Sequence, residues 1–228
     1  MPIPPATPTT TTTPAASLRR LLIAATALFS LTGLAAELLR HLADLDHPAL
    51  SLWSLSYEAN MPTWYASALP LACAALLAWI SLHETLDRGH WRALALGFVY
   101  ISIDEAVGLH ELLGALFDTE GVLHFGWVIP AAAVVLLVGL AYIGFLRRLD
   151  RPTARRFILA GALYVTGALL FELPLGWWTE QHGADSLGYA LIDWCEETLE
   201  LIGLTLFAST LLGRLTPEIK HPAAAPTR

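Results

Sequence analysis

The chain has 228 residues, of which 55% are hydrophobic and only 14% are charged, and this balance excludes an ordinary soluble domain. Its mean hydropathy of +0.55 indicates a membrane protein. The formal net charge of −7 leaves no basic surface for nucleic acid. We therefore expect an all-α fold, a polytopic membrane bundle without a disulfide framework, because both cysteines, Cys73 and Cys195, fall inside apolar stretches.

Six apolar stretches are each long enough to cross a hydrocarbon core of about 30 Å, which takes about 20 helical residues. The predicted spans run near 18–42, 62–86, 91–117, 122–147, 154–178 and 186–213. Together they make one six-helix transmembrane domain, 18–213. The Pro/Thr-rich segment 1–17 and the segment 214–228 are expected to be disordered cytoplasmic tails.

The basic residues predict the orientation, because Lys and Arg near span ends stay on the cytoplasmic side. With six spans, twelve of the thirteen basic residues fall on one side of the membrane, and only Arg40 falls on the other. The loops on the Arg40 side are otherwise acidic. We therefore expect a multi-pass protein of the inner (plasma) membrane, with both termini in the cytoplasm.

Acidic side chains recur inside the predicted spans, where each costs about 2.5–3.5 kcal/mol at the bilayer centre. The last span carries DWCEETLELIG, whose four acids share an arc of about 100° on a helix. The third span carries SIDEAVGLHE, and the fifth and first spans add Glu172 and Glu37. At a rise of about 1.5 Å per residue, all of these acids lie between the midplane and the outer surface. The acids of the two motifs are Asp193, Glu196, Glu197 and Glu200, with Asp104, Glu105 and Glu111.

The third and last spans run antiparallel and share a spacing of seven residues between acids, from Asp104 to Glu111 and from Asp193 to Glu200. These pairs could face each other around a common centre. The third span carries ionisable groups on several sides, so we expect it to be buried at the bundle centre. A local π-bulge there could gather His110 and Glu111 inward.

Two residues outside these motifs are expected to reach the same level. Glu58 precedes the second span, where Asn60 and Pro62 fit a helix cap and first turn. His124 is placed just inside the outer end of the fourth span. Both are candidates to complete a site built by the acids of the spans.

So many acids cannot all stay ionised in a low dielectric unless they bind cations, and the alternative is that they hold protons. Carboxylates with one or two imidazoles suit Fe, Mn or Zn, as in the dimetal centres of helical bundles. We therefore predict a site for one or two metal ions, with Glu196 and Glu105 as catalytic proton carriers. The predicted metal ligands are Asp104, His110, Glu111, Asp193, Glu197, Glu200, Glu172, Glu58 and His124.

The motifs EANMPTWYAS, SIDEAVGLHE and EETLELIG resemble those of a widespread group of uncharacterised bacterial multi-pass membrane proteins. The resemblance covers roughly 57–213 and implies a membrane bundle, but it brings no activity with it. The chain departs from the group's pattern at Ala59, which separates Glu58 from Asn60 where an adjacent acid and amide are expected.

Two functions remain open. One is an intramembrane metalloenzyme, an oxidoreductase or a hydrolase, that acts on a membrane lipid or another apolar small molecule. The other is a transporter or channel for protons or divalent cations that uses the same acids. The inner halves of the spans carry almost no acids, so the sequence offers no path to the cytoplasm and favours a binding site with one open side. A homo-oligomer is compatible with either function.

Overall fold

The computed structural model describes residues 14–117 and 119–215, and these residues form helices and loops with no strand. The all-α expectation is therefore confirmed for the described part of the chain. The predicted tails lie outside it, except that 14–17 and 214–215 extend the first and last helices. The helices are α1 (Pro14–Leu42), α2 (Pro48–Ser51), α3 (Met61–His83), α4 (Arg88–Val107), α5 (Leu109–Gly114), α6 (Val128–Arg148), α7 (Arg151–Val165), α8 (Glu172–His182) and α9 (Leu187–Leu215).

Five helical stretches among the described residues are long and apolar enough to cross a membrane. Four of them are α1, α3, α6 and α9, and the fifth runs from α7 through a π turn (Thr166–Phe171) into α8. They coincide with the first, second, fourth, fifth and sixth predicted spans to within a few residues at most ends. Hydropathy therefore located these helices correctly, and the chain has the character of a membrane protein.

The third predicted span differs from the expectation. A single helix over 91–117 is wrong, because α4 ends at Val107 and Gly108 adopts the left-handed conformation with φ 62° before α5 begins. Glycine has no Cβ and adopts this conformation without strain, so Gly108 can break the helix. The suggested π-bulge in this span is also wrong, since the π turn lies in the fifth span.

The start of α3 follows the predicted cap. The side chain of Asn60 accepts a hydrogen bond from the backbone N–H of Thr63 at 3.0 Å, and Pro62 occupies the first turn. The amide of Asn60 also donates to the carbonyl oxygens of Ser51 and Ser54, at 2.9 and 2.7 Å. This one side chain therefore fixes the loop before α3 against the helix itself.

Helix α9 contacts most of the bundle, since it packs against α1, α3 and α7. Its Phe207 stacks on Phe98 of α4 with 4.7 Å between ring centroids. Thr205 of α9 and Thr26 of α1 are hydrogen bonded at 2.5 Å, and Thr26 also meets the Tyr65 hydroxyl of α3 at 3.0 Å. Each hydroxyl can donate and accept. The Tyr65 hydroxyl also donates to the carbonyl oxygen of Leu22 at 3.2 Å, so this buried group joins three helices.

Arginines and acids pair at one end of the bundle, which we call the basic end. Arg148 of α6 contacts Asp87 at 2.5 Å, and Arg214 of α9 contacts Glu84 at 2.6 Å and Asp150 at 3.5 Å. These pairs bring the α3–α4 loop, the α6–α7 loop and the last turn of α9 together. The basic residues predicted that the α3–α4 and α6–α7 loops lie on the same side of the membrane, and these loops do lie at the same end of the fold.

Candidate functional site

A cavity of about 450 Å³ opens at the end of the bundle opposite the basic end. The segment before α3, helices α4, α5, α8 and α9, and the loop before α6 all contribute to its wall. Seven acids and two histidines line it, with no Lys or Arg among its described lining residues. These nine ionisable residues are Glu58, Glu105, His110, Glu111, His124, Glu172, Asp193, Glu196 and Glu197.

Sequence reasoning named eleven site residues, and these nine are all among them. The two others, Asp104 and Glu200, are not part of the cavity wall. The sequence suggested that the pairs Asp104 with Glu111 and Asp193 with Glu200 face each other; α9 and the third span do share the cavity wall, but with only one member of each pair. The seven-residue spacing predicted that Asp104 of the third span would line the site, but its neighbour Glu105 lines the cavity instead.

Asp104 lies behind His110 and holds it. The left-handed Gly108 reverses the chain, so that Asp104 Oδ1 accepts the backbone N–H of His110 at 2.8 Å. Asp104 Oδ2 lies 3.2 Å from His110 Nδ1. The His110 ring packs against Trp127, with 4.7 Å between centroids. A carboxylate on Nδ1 leaves Nε2 as the nitrogen free to bind a cation.

The acidic stripe of α9 continues below the cavity floor at Glu200. A Cβ on Gly167 of the π turn would lie 2.9 Å from Glu200 Cγ and 2.6 Å from the carbonyl oxygen of Glu196. Only glycine allows the π turn to pack this closely on the acidic face of α9. The turn also shifts the register of the residues that follow it, and Glu172, the first residue of α8, lines the cavity.

Serines connect two acids at the α1 side of the cavity. Ser56 donates a hydrogen bond to Asp193, and Ser54 donates one to Glu37, which is 2% exposed and lies outside the cavity wall. The backbone N–H of Ser56 donates to Ser54 Oγ at 3.0 Å. Nothing in the sequence pattern singled out these serines, because a loop has no periodicity that assigns side chains to a face.

His124 lies outside α6, so its predicted place inside the fourth span is wrong. It follows a short 3₁₀ turn, Gly121–Leu123, in the loop before the helix. Glu180 of α8 holds this loop, since it accepts the N–H of Gly121 at 2.6 Å and lies 3.4 Å from His124 Nδ1. Glu180 thus lies near Nδ1 of His124, as Asp104 lies near Nδ1 of His110. The sequence analysis did not predict Glu180 as a site residue.

Two carboxylate oxygens on the wall have no hydrogen-bond partner. Glu172 and Glu196 are only 7% and 8% exposed, and Oε2 of each is buried and unpaired. A buried charge or acceptor without a partner is costly. The acids are nevertheless not close enough together to coordinate one ion. Within 14–117 and 119–215, no group of three or more His, Cys, Asp or Glu side chains is placed to hold a metal ion.

Comparison with known families assigns this chain to a family without assigning an activity. A model described as a domain of unknown function, DUF8692, matches residues 15–215. The match covers the bundle from α1 to α9, and the chain belongs to this family. It fits the uncharacterised group that the motifs indicated. No curated protein and no solved structure matches the chain.

Proposed function

We propose that this chain is an integral membrane protein that binds one or two divalent metal ions, Fe, Mn or Zn, in the acidic cavity. We further propose that it uses the metal for oxidation or hydrolysis of a lipid or other apolar substrate. One observation carries this proposal: buried, unpaired oxygens of Glu172 and Glu196 line a cavity that contains no Lys or Arg among its described lining residues.

The charge of the cavity supports a cation as its ligand. Ionised carboxylates only accept hydrogen bonds, so seven of them cannot satisfy one another. An oxygen-rich donor set with two imidazoles suits Fe, Mn or Zn better than Cu(I), which prefers sulfur. The side chains must converge to coordinate an ion, and Glu has three rotatable bonds with which to do so.

The volume supports a metal together with a second ligand. Small-molecule pockets occupy about 300–1,000 Å³, and 450 Å³ is far more than one ion fills. A metal ion there would polarise a substrate oxygen or lower the pKa of bound water. Glu196 and Glu105 are the proposed proton carriers, because both reach the cavity from opposite sides, one on α9 and one on α4.

We propose six spans rather than five, with α4 as the additional one. Its 20 residues rise about 30 Å, which matches the thickness of a hydrocarbon core. One face of α4 exposes a stripe of large apolar side chains at helical spacing, which are Leu96, Tyr100, Ile103 and Val107. With six spans, the basic end faces the cytoplasm of the inner membrane, both termini are cytoplasmic, and the cavity lies in the outer half of the bilayer.

Transport of protons or divalent cations is the second candidate function, and the same acids would serve it. Below Glu200, however, α9 carries no acid before its end at Leu215. The described hydroxyls in that direction, on Thr26, Tyr65 and Thr205, bond one another and the backbone carbonyl oxygen of Leu22 in α1. A cavity with one open end therefore supports binding and catalysis better than passage across the membrane.

Elemental analysis of the purified, detergent-solubilised protein tests the proposal. We expect one or two Fe, Mn or Zn ions per chain, lost in the double variant Glu111→Ala, Glu197→Ala. The matched control is Glu84→Ala, Asp150→Ala, which also removes two acids but at the basic end, and should keep the metal. A metal-free protein that dissipates a proton gradient in liposomes would overturn the proposal in favour of transport.

A further inference from the structure

The cavity has a mouth between the segment before α3 and helix α5. Among the described lining residues, the exposed ones are Tyr57 and Glu58 on one side and Glu111 and Ala115 on the other. All other described lining residues are buried or partly buried. The mouth therefore lies on the flank where the α3 segment and α5 meet.

Large apolar side chains are exposed on both sides of this mouth. Met61 and Trp64 follow the Tyr57 side, and Trp64 is 64% exposed. Leu112 and Leu116 are neighbours of Glu111 and Ala115 in sequence, and Leu116 is 76% exposed. Exposing large apolar side chains to water is unfavourable, whereas contact with the hydrocarbon of a bilayer is favourable. The mouth thus faces lipid, with acids at its edge.

An apolar stripe leads along the bundle toward the mouth. The exposed residues of α4 end at Val107, just before Gly108 and the start of α5. A hydrocarbon chain lying on this stripe could stay in the bilayer while its polar head enters the cavity. The arrangement fits an amphiphile better than a wholly apolar or a wholly water-soluble molecule.

The chemistry of the wall selects the head of that amphiphile. Four aromatic side chains line the cavity together with the seven acids, and no arginine or lysine is present among the described lining residues to bind a phosphate or carboxylate. Acidic and aromatic surfaces together bind organic ammonium groups. The four aromatic residues are Tyr57, Phe125, Trp127 and Tyr189.

We infer that the cavity takes a long-chain amine, an amphiphile whose ammonium head enters from the lipid between the α3 segment and α5. This inference names the substrate class of the proposed function and rests on it only in treating the cavity as the ligand site. The unpaired Oε2 of Glu196, which the proposed function makes a proton carrier and not a metal ligand, is the acceptor for the N–H groups of the head.

Photo-crosslinking in lipid nanodiscs tests this inference. Three diazirine probes share one sixteen-carbon chain and carry an amine, a hydroxyl or a carboxylate head, and a fourth is a short-chain amine. We expect the long-chain amine to label peptides covering 57–64 and 107–117, and an excess of unlabelled long-chain amine to abolish that labelling. Equal labelling by the long-chain alcohol or carboxylate would overturn the amine head. Equal labelling by the short-chain amine would overturn access from the lipid.

Matched variants locate the two parts of the site. Ala115→Trp fills the mouth and should reduce labelling on the order of tenfold, while Ala133→Trp on the exposed surface of α6 should leave it unchanged. Glu196→Gln should reduce the preference for amine over alcohol, and Glu84→Gln, an acid at the basic end, should not. Repeating the assay on metal-free protein separates the inference from the metal proposal, because amine labelling without metal supports the inference even if no metal binds. If both Ala115→Trp and Glu196→Gln label like the unmodified protein, the amine does not enter this cavity.

Discussion

The two ends of the bundle treat acidic side chains in opposite ways. At the basic end, Glu84, Asp87 and Asp150 each meet an arginine within 4 Å. In the cavity, Asp193 accepts a hydrogen bond from Ser56, Oε2 of Glu172 and of Glu196 has no partner, and no arginine or lysine lines the described wall. The acids at the basic end therefore have counter-charges within the protein, and the acids of the cavity lack them.

Under the proposed function, this difference separates acids that stabilise the fold from acids that bind a ligand. An exposed ion pair contributes little, but it is complete in the folded chain. A buried acid without a counter-charge destabilises the fold until a cation or proton arrives. The cavity end should therefore respond to ions and to neutralising substitutions, whereas the basic end should respond only to loss of its own partners.

Removal of the cation that we propose for the cavity should have the largest effect. At a free metal concentration of about 100 times Kd, binding stabilises the native state by about 2.7 kcal/mol. A chelator should therefore lower the Tm of the purified protein by about 5–10 °C, and re-addition of the metal should restore it. Thermal unfolding followed by tryptophan fluorescence measures this shift.

The double variant Glu111→Ala, Glu197→Ala is the reference for this measurement. Its Tm should be the same with and without chelator, since both lost acids line the cavity. A chelator effect that persists unchanged in the variant would show that the stabilising ion binds elsewhere.

Neutralising one unpaired acid should have the next largest effect, with a sign that depends on metal. In chelated protein, Glu196→Gln removes a buried charge whose Oε2 has no partner, and we expect stabilisation of about 1–2 kcal/mol. In metal-loaded protein the same variant loses a carboxylate near the ion, so the gain should vanish or reverse. The free energies of unfolding from urea titrations with and without chelator give both values. Equal destabilisation under both conditions would contradict the idea that this acid lacks a counter-charge.

Much of the fold could be predicted because hydropathy and helical periodicity act over many residues. The apolar length of α1, α3, α6 and α9 decided those spans, and the cap at Asn60 followed from local chemistry. The break at Gly108 could not be predicted, because an isolated glycine within a helical pattern is often tolerated. Its left-handed conformation accompanies two local hydrogen bonds between Asp104 and His110, which a continuous helix would not allow and its periodicity does not predict.

The site was predictable wherever its residues lie on one regular helix. The 3.6-residue period placed Asp193, Glu196 and Glu197 on one face, and all three line the cavity. Departures from regularity defeated the same reasoning. The helix break moved Asp104 behind His110, and irregular packing at the π turn covered Glu200.

Residues that support the site from loops or from other helices were missed. Ser56 and Glu180 contact Asp193 and His124 only in the folded chain. No spacing in the sequence connects residues that are 137 or 56 positions apart. Such partners become visible only when side-chain hydrogen bonds can be followed across elements.

Breaking the basic end should have a smaller effect that does not depend on metal. Arg214 contacts Glu84 and Asp150, and its guanidinium lies 5.2 Å from the centroid of the Trp91 ring. Arg214→Met removes the charge but keeps an apolar stem, so we expect a loss of about 1 kcal/mol. The loss should be the same with and without chelator. A loss that appears only in metal-loaded protein would mean that the two ends are coupled.

The smallest expected effect is a pH dependence at the basic end. The hydrogen bond from Arg148 lowers the pKa of Asp87 below its ordinary value. A lowered pKa means that the pair stabilises the fold above the unfolded-state pKa, about 3.9 for Asp, and that this contribution disappears as the pH falls through the folded value. Asp87→Asn should therefore lower Tm at pH 7, and the difference should shrink as the pH falls below the unfolded-state pKa and vanish below the folded-state pKa.

Asparagine is the suitable replacement because Asp87 has φ 59°, a conformation that asparagine adopts readily. The backbone conformation is thus preserved, and the change in Tm measures the effect of removing the carboxylate charge. In an Arg148→Gln background, the effect of Asp87→Asn on Tm should become smaller, since the guanidinium is gone and only His90, 3.3 Å from the carboxylate, still lowers the pKa. If the two substitutions instead add independently, Asp87 stabilises the α3–α4 loop through its backbone position and the arginine is not its counter-charge.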